Sequence, residues 1–133
     1  MILADSSVLI DVLRARRTPA SDRLRELVRH ESTWGVPLPC VLEVLQGARD
    51  EADWRLLERF FESQEVVEPR SIRDAHVAAA RIWFDARRRG LTIRSSADCL
   101  IAQIALERDD TLLHDDDDFD RIAKVRPLKT LRS

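Results

Sequence analysis

Four acidic residues, Asp5, Glu43, Asp98 and Asp116, stand in four separate stretches of the chain, each where a strand should end or a helix begin. Carboxylates gathered from distant segments form a donor set for a hard divalent cation, Mg²⁺ or Mn²⁺ rather than zinc, because oxygen ligands select such ions. Asp5 follows the apolar run Met1-Ile2-Leu3-Ala4 and precedes Ser6, Ser7 and the helix-like stretch from Val8 to Leu13. Asp116 lies in Leu112-Leu113-His114-Asp115-Asp116-Asp117-Asp118-Phe119, where a second apolar run ends in acid. The four adjacent carboxylates Asp115 to Asp118 repel one another and destabilise a folded loop unless a cation or nearby arginines compensate. An EF-hand loop does not account for the tract, since neither frame offers the required glycine or the closing glutamate.

Two of these acids also have ordinary roles open to them. Asp98 follows Ser95 by three residues, the spacing of a capping box with aspartate in place of glutamate. It shares a helical face with Ile101, Ala102 and Ala105, which directs it toward the interior edge rather than open water. Glu43 falls opposite Val41 and Leu45, a position equally suited to solvent.

The elements that must position these groups alternate between strand and helix. Ile2 to Ala4 predicts a strand, and a helix follows from Val8. A second helix runs from Ser21, as N-cap, to Arg29. Thr33 to Val36 predicts a strand, and Pro37 and Pro39 lead into a helix through Leu45 that Gly47 ends. Asp53 to Phe61 is helical and Glu65 to Val67 is a short strand. Ile72, Ala75, Ala79, Ile82, Trp83 and Ala86 mark a long amphipathic helix from Ser71 to Gly90. Ser96 to Glu107 is helical, Thr111 to Leu113 a strand, Phe119 to Ala123 a helical turn, and a last extended piece is expected at Val125. Strands separated by helices argue for a parallel sheet in a three-layer α/β/α arrangement, because parallel neighbours need a crossover. Asp5 and Asp116 would then meet at the ends of neighbouring strands.

At 133 residues with 44% hydrophobic, the chain fits a single domain spanning 1–133 with a real core. No apolar run approaches the ~20 residues needed to cross a bilayer, and no charged leader precedes a cleavable apolar segment, so a cytoplasmic location is expected. Cys40 and Cys99 form neither a disulfide framework nor a Cys-x-x-Cys pair and read as small buried hydrophobes. The net charge of −2 gives no overall attraction to a polyanion, yet arginines crowd Arg14 to Arg29 and Arg81 to Arg94. An acidic pocket surrounded by arginines is what a metal-dependent phosphodiesterase requires, although such runs also serve as plain solvated helix faces.

Together the segments resemble PIN domains, and within them the VapC-type ribonuclease toxins of toxin–antitoxin modules. The matching motifs are Leu3-Ala4-Asp5-Ser6-Ser7-Val8-Leu9-Ile10, Val41-Leu42-Glu43-Val44-Leu45-Gln46-Gly47-Ala48-Arg49, Ser96-Ala97-Asp98-Cys99-Leu100-Ile101-Ala102 and Leu113-His114-Asp115-Asp116-Asp117-Asp118-Phe119-Asp120-Arg121-Ile122. Their order and spacing over nearly the whole chain carry the likeness. The resemblance implies that Asp5, Glu43, Asp98 and Asp116 form a catalytic and metal-binding quartet, with Asp118 as the additional acid many members carry. It implies Mg²⁺- or Mn²⁺-assisted hydrolysis of RNA that leaves a 5′-phosphate and a 3′-hydroxyl and inhibits translation and growth. Ser6 matches the small hydroxyl residue that steadies the site. His114 departs from the threonine, serine or asparagine common at its place, and is either a neutral replacement or a group that tunes Asp116. The likeness further implies a homodimer and a small VapB-type antitoxin covering the groove. Trp54, Phe60, Phe61 and Trp83 are candidate apolar contacts, and His76 a packing or interface residue. Arg14, Arg17 and Arg94 are candidates for gripping RNA phosphate, chosen by closeness in sequence to Asp5 and Asp98. Two rival classes remain: a catalytically silent PIN-like module that binds RNA or protein, and a receiver-like phosphoryl domain. The second lacks a suitable lysine, since Lys124 and Lys129 are the only two.

Overall fold

The computed structural model describes residues 1–133. Five strands form one parallel sheet: β1 (Ile2–Ala4), β2 (Trp34–Pro37), β3 (Val66–Val67), β4 (Thr111–Leu113) and β5 (Lys129–Leu131), in the order β3-β2-β1-β4-β5. Seven helices complete the three-layer α/β/α architecture: α1 (Ser6–Leu13), α2 (Pro19–Arg29), α3 (Leu38–Leu45), α4 (Glu51–Glu62), α5 (Ile72–Arg88), α6 (Ser96–Arg108) and α7 (Asp117–Ile122). The strands are short, and their carboxyl ends share one edge because every pairing is parallel: Ile2 and Leu3 lie beside Trp34 and Gly35, and Ile2 to Ala4 beside Thr111 to Leu113.

Chain order reverses at β1. One way the sheet continues to β2 and β3, the other way to β4 and β5, and the crevice at such a switch point is where open α/β sheets receive ligands. Asp5 leaves β1 into that crevice, its backbone N–H donating to Leu113 O of β4 at 2.9 Å. The other end of the same strand pair is closed by the N-terminal ammonium on Asp110, 2.6 Å away.

Beneath the edge lies a core in which Leu3, Ala4, Val8, Leu9, Ile82, Ile101, Ile104, Leu112, Leu113 and Phe119 are buried. Helix α6 is enclosed on most of its circumference, burying Cys99, Ile101, Ala102, Ile104 and Ala105. A helix apolar nearly all round belongs in the interior, so α6 presents the first turn that carries Asp98 from a fixed support. Helix α5 packs along α6 with Ala75, Ala79, Ile82 and Ala86, the periodicity expected from the sequence, and Gly90 ends that segment in the left-handed region (φ 74°).

Two expectations need correction. The N-cap of α2 is Thr18, not Ser21: the Thr18 hydroxyl accepts from the Ser21 N–H at 3.0 Å while the Ser21 hydroxyl accepts from the Thr18 N–H at 2.8 Å. Ser21 is the reciprocal partner of a capping box one turn later. The last extended piece is not at Val125, whose N–H bonds to Ile122 O in the turn after α7, but at Lys129–Leu131, where β5 pairs with β4.

Leu113 is fully buried two residues before the acidic tract begins. Leu113→Ala should cost ~2–5 kcal/mol through lost burial and the cavity left behind. Urea unfolding would register it as a lower midpoint at unchanged slope; a loss below about 1 kcal/mol would show that this end of the sheet relaxes freely.

Candidate active site

Asp5 is the N-cap of α1 and 2% exposed. Its Oδ2 accepts from the Ser7 backbone N–H (3.0 Å) and the Ser7 hydroxyl (2.6 Å), and the Cys40 thiol points at Oδ1 from 3.8 Å. Burial raises its pKa, the two Ser7 bonds hold it down, and the charge of Asp116 raises it further. The Ser7 hydroxyl also accepts from the Asp115 N–H at 3.0 Å, so one side chain fastens the first acid to the last acidic segment.

Glu43 enters from the middle of α3, where Pro37 and Pro39 start the helix beside the end of β2. It is half-buried rather than solvent-facing, and Ser6 Oγ donates to its Oε1 at 3.0 Å. Burial raises the Glu43 pKa, Ser6 lowers it, and Asp5 and Asp116 add to the rise. Asp5, Cys40 and Glu43 bring their donor atoms within 4.8 Å of one another.

Asp98, Asp116 and Asp118 form a facing group with the same mutual reach. Asp116 caps α7 and accepts from the Asp118 N–H at 2.9 Å. Asp118 is the most fully engaged acid of the site. Its Oδ2 accepts from the backbone N–H groups of Arg94 (3.0 Å) and Ser95 (3.1 Å), and its Oδ1 from Arg121 Nη1 (3.0 Å) and Arg94 Nε (3.4 Å). Burial alone would push Asp118 up, yet these bonds and one from Asp98 hold it below the usual carboxylate range. Asp98 is not a cap: Ser95 makes no side-chain capping bond, and the Asp98 side chain is 4% exposed with Oδ2 lacking any donor. Burial, the bond to Asp118 and the charges of Asp5 and Asp116 push its pKa up to about 9. Without a cation, the relief open to Asp98 is to keep a proton and share it with Asp118.

His114, fully buried and tilted against Phe119, accepts the Asp116 N–H on Nδ1 at 3.2 Å. That bond places the ring proton on Nε2, which faces Asp120 Oδ1 at 3.7 Å without a hydrogen-bond partner. Burial lowers the His114 pKa, so the ring is neutral at pH 7. The three candidate arginines separate. Arg14 is tied to Asp53 (2.9 Å) and Gly47 O, Arg17 to Asp22 (2.8 Å) on an exposed surface, and Arg94 alone reaches the acids, with Nη2 on Asp116 at 3.2 Å. His76 is exposed on α5, bonded to Ile72 O at 2.6 Å.

Four neighbours of the site escaped sequence reasoning. Cys40 and Ser7 touch Asp5, Arg121 holds Asp118, and Arg132 after β5 spans Asp115, Asp117 and Asp120. Only Ser7 carried a signal, as a hydroxyl two residues past an N-cap aspartate.

The donors available to a ligand are carboxylate oxygens, and one of them is buried without a partner. This set fits Mg²⁺ or Mn²⁺, which take oxygen ligands, and not a thiolate-seeking metal, because burial and Asp5 hold the Cys40 thiol well above its ordinary value. The chain is similar to known proteins. The PIN domain family profile matches residues 2–125. The chain belongs to the PIN-domain family. Within it, the ribonuclease VapC11 of Mycobacterium tuberculosis and a VapC ribonuclease of Mycobacterium bovis are each 35% identical over 130 residues, covering 97% of this chain and 96% of theirs. Solved structures share the PIN fold: VapBC2 from Rickettsia felis bound to a promoter DNA fragment (TM-score 0.75, 19% identity, 98% of each chain) and VapBC-1 from nontypeable Haemophilus influenzae (0.72, 21% identity, 98% and 97%).

Asp98 keeps its proton in the folded, metal-free chain up to about pH 9 but loses it near its ordinary value of 3.8 once unfolded. Its contribution to stability is therefore full below that lower value and is lost as pH rises toward the upper one. Between pH 7 and 9, above the windows of the lowered aspartates and of His114, the metal-free melting temperature should fall. Asp98→Asn should flatten that fall, read by thermal unfolding of both proteins across the same pH range. A pH-independent melting temperature in the wild type would contradict the assignment.

Proposed function

We propose that this PIN domain is a Mg²⁺- or Mn²⁺-dependent endoribonuclease, the toxin of a type II toxin–antitoxin pair, acting in the cytoplasm as one domain over residues 1–133. The observation that carries the proposal is the orphaned, buried Asp98 Oδ2 amid carboxylates from four segments, a demand that a hard cation meets. The VapC ribonucleases that this chain resembles over 97% of its length support the choice of RNA as substrate.

Asp5, Glu43, Asp98 and Asp116 would hold the cation, and Asp118, saturated by its own chain, holds the frame. When bound, the cation supplies Lewis-acid polarisation of the scissile phosphoryl group and lowers the pKa of the attacking water. Ser7 fixes the Asp5 carboxylate, Ser6 fixes Glu43, and His114 fixes the Asp116 backbone, so the donors are set before substrate arrives. Asp98 would hold the cation as a carboxylate, so its proton would leave when the cation binds. Arg94, 66% exposed at the rim, is placed to meet phosphate, whereas Arg14 is occupied by Asp53.

The resemblance to VapC ribonucleases is what supports these partners, and exposed apolar side chains offer surfaces for them. Leu42 on α3, the helix that carries Glu43, and Trp54 and Leu56 on the adjoining α4 are exposed and suit the VapB-type antitoxin. Val77 and Phe84 on α5, with Trp83 between them, suit a second copy of the chain. Phe60 and Phe61 pack edge-to-face at 5.1 Å against the core instead.

Purified protein with Mn²⁺ or Mg²⁺ should cut RNA into discrete fragments. Chelation, Asp5→Asn or Asp116→Asn should each lower the rate by about a hundredfold or more, the size of several kcal/mol of lost charge stabilisation. Contaminating ribonuclease would survive both substitutions. Full cleavage by either variant would remove the quartet from the chemistry, and metal binding without cleavage of any RNA would favour a silent binding module. Light scattering should give the mass of two chains at micromolar concentration; a single-chain mass would remove α5 as the dimer face.

A further inference from the structure

The Arg94 guanidinium lies across Asp116, assigned to the cation, and Asp118, which frames the site beside it. Its Nη2 is 3.2 Å from Asp116 Oδ1 and its Nε 3.4 Å from Asp118 Oδ1. Two other cations and one neutral imidazole face the tract from elsewhere in the fold, and each is placed differently. Arg121 is confined to Asp118 from within α7, at 3.0 Å, and is 34% exposed. Arg132 spans the outer acids Asp115, Asp117 and Asp120, away from the inward-facing ones. His114 offers the tract a neutral acceptor. Arg94 is the one positive charge that bridges Asp116 and Asp118.

We propose that the Arg94 side chain is a built-in counter-cation that occupies part of the divalent-metal site and is displaced when the metal binds. The inference rests on the metal-dependent reading above. Three observations carry it. First, the contact is easily undone: the side chain is 66% exposed and both of its bonds are long for charge-assisted hydrogen bonds. Second, its departure dismantles nothing, because Asp118 is anchored by the backbone N–H groups of Arg94 and Ser95 and by Arg121, none of which depends on the guanidinium. Third, the neutralisation is incomplete. The guanidinium reaches Asp116 and Asp118 but leaves Asp98 Oδ2 unpartnered, though Asp98 belongs to the same group of acids. A compact divalent ion held by Asp98 and Asp116 would meet the demand of that buried oxygen, which a planar fork at the rim does not. Displacement then leaves a mobile positive charge at the mouth of the site at the moment the site can accept a phosphodiester, so loading with metal also equips the rim for substrate.

The competition has a sign that a merely structural role does not share. If Arg94 only braced the loop, its loss would loosen the donors and weaken metal binding; if it competes, its loss strengthens binding. Mn²⁺ alone, titrated by calorimetry into wild type, Arg94→Gln and Arg94→Lys with no RNA present, reads that sign. Arg94→Gln should bind Mn²⁺ about three- to tenfold more tightly, the scale of two exposed ion pairs. Arg94→Lys, which keeps the charge but cannot span both carboxylates, should fall between. Equal or weaker binding by Arg94→Gln overturns the exchange while leaving a metal-dependent site in place. Absence of Mn²⁺ binding in all three proteins overturns both.

Discussion

More negative charge converges on the carboxyl edge of the sheet than that edge could hold if every acid were ionised and unpaired. Asp5, Asp98 and Asp118 are buried there, Asp116 and Glu43 are half-buried beside them, and Asp115, Asp117 and Asp120 follow on the rim. Like charges at such separations disfavour one another's ionisation, and burial compounds the effect. The chain answers each acid locally. Ser7 serves Asp5, Ser6 serves Glu43, and Arg132 gathers the three rim aspartates. Asp118 receives two backbone N–H groups and two guanidinium groups. Asp98 is left over, and its raised pKa is the mark of a demand the protein does not meet by itself.

Topology explains why the demand arises in one place. Because all five strands are parallel, every strand discharges its chain at the same edge, and the reversal of order at β1 opens a crevice between the segments that leave β1 and β4. Asp5 and Asp116 arrive from those two strands, Glu43 from a helix begun by prolines at the end of β2, and Asp98 from the first turn of an enclosed helix. The supports are apolar and tightly buried while the acids sit on their exits. Stability is thus concentrated below the edge, and the cost of crowding charge is borne where ligand can offset it.

Most elements were legible in the sequence because their signals were local. The strand at Thr111 to Leu113 and the helix capped by Ser71 follow from apolar periodicity and a hydroxyl at the start. The failures came where two local signals competed or none existed. Thr18 and Ser21 are both hydroxyls at capping-box spacing, and only the turn before Pro19 decides which is the cap. Strand β5, with Lys129 exposed and Thr130 polar, shows no apolar alternation and exists because β4 offers it an edge. Among the site residues, the four acids could be singled out by position, whereas Cys40, Arg121 and Arg132 become neighbours of the acids only through packing. Arg14 and Arg94 show the same limit. Both were chosen for nearness in sequence, yet Arg14 turns to Asp53 while Arg94 turns to Asp116 and Asp118.

Asp98 and Asp118 are the same residue type, are both buried, and lie close enough to share a proton, yet they do opposite work. Asp118 is stabilised as an anion by donors from the backbone before Asp98, from Arg94 and from Arg121, so its charge already belongs to the structure and holds α7 to the start of α6. Asp98 has a support of buried aliphatic side chains and no donor for one oxygen, so its charge is unaffordable until something brings positive charge to it. Removing Asp118 would break a frame, and removing Asp98 would remove a demand. Residue type, burial and position near a helix start cannot separate those roles; the count of satisfied lone pairs does. By that count Asp98 is the part of the edge that the protein leaves unfinished, and the guanidinium of Arg94, long-bonded and exposed, stops at Asp116 and Asp118 beside it.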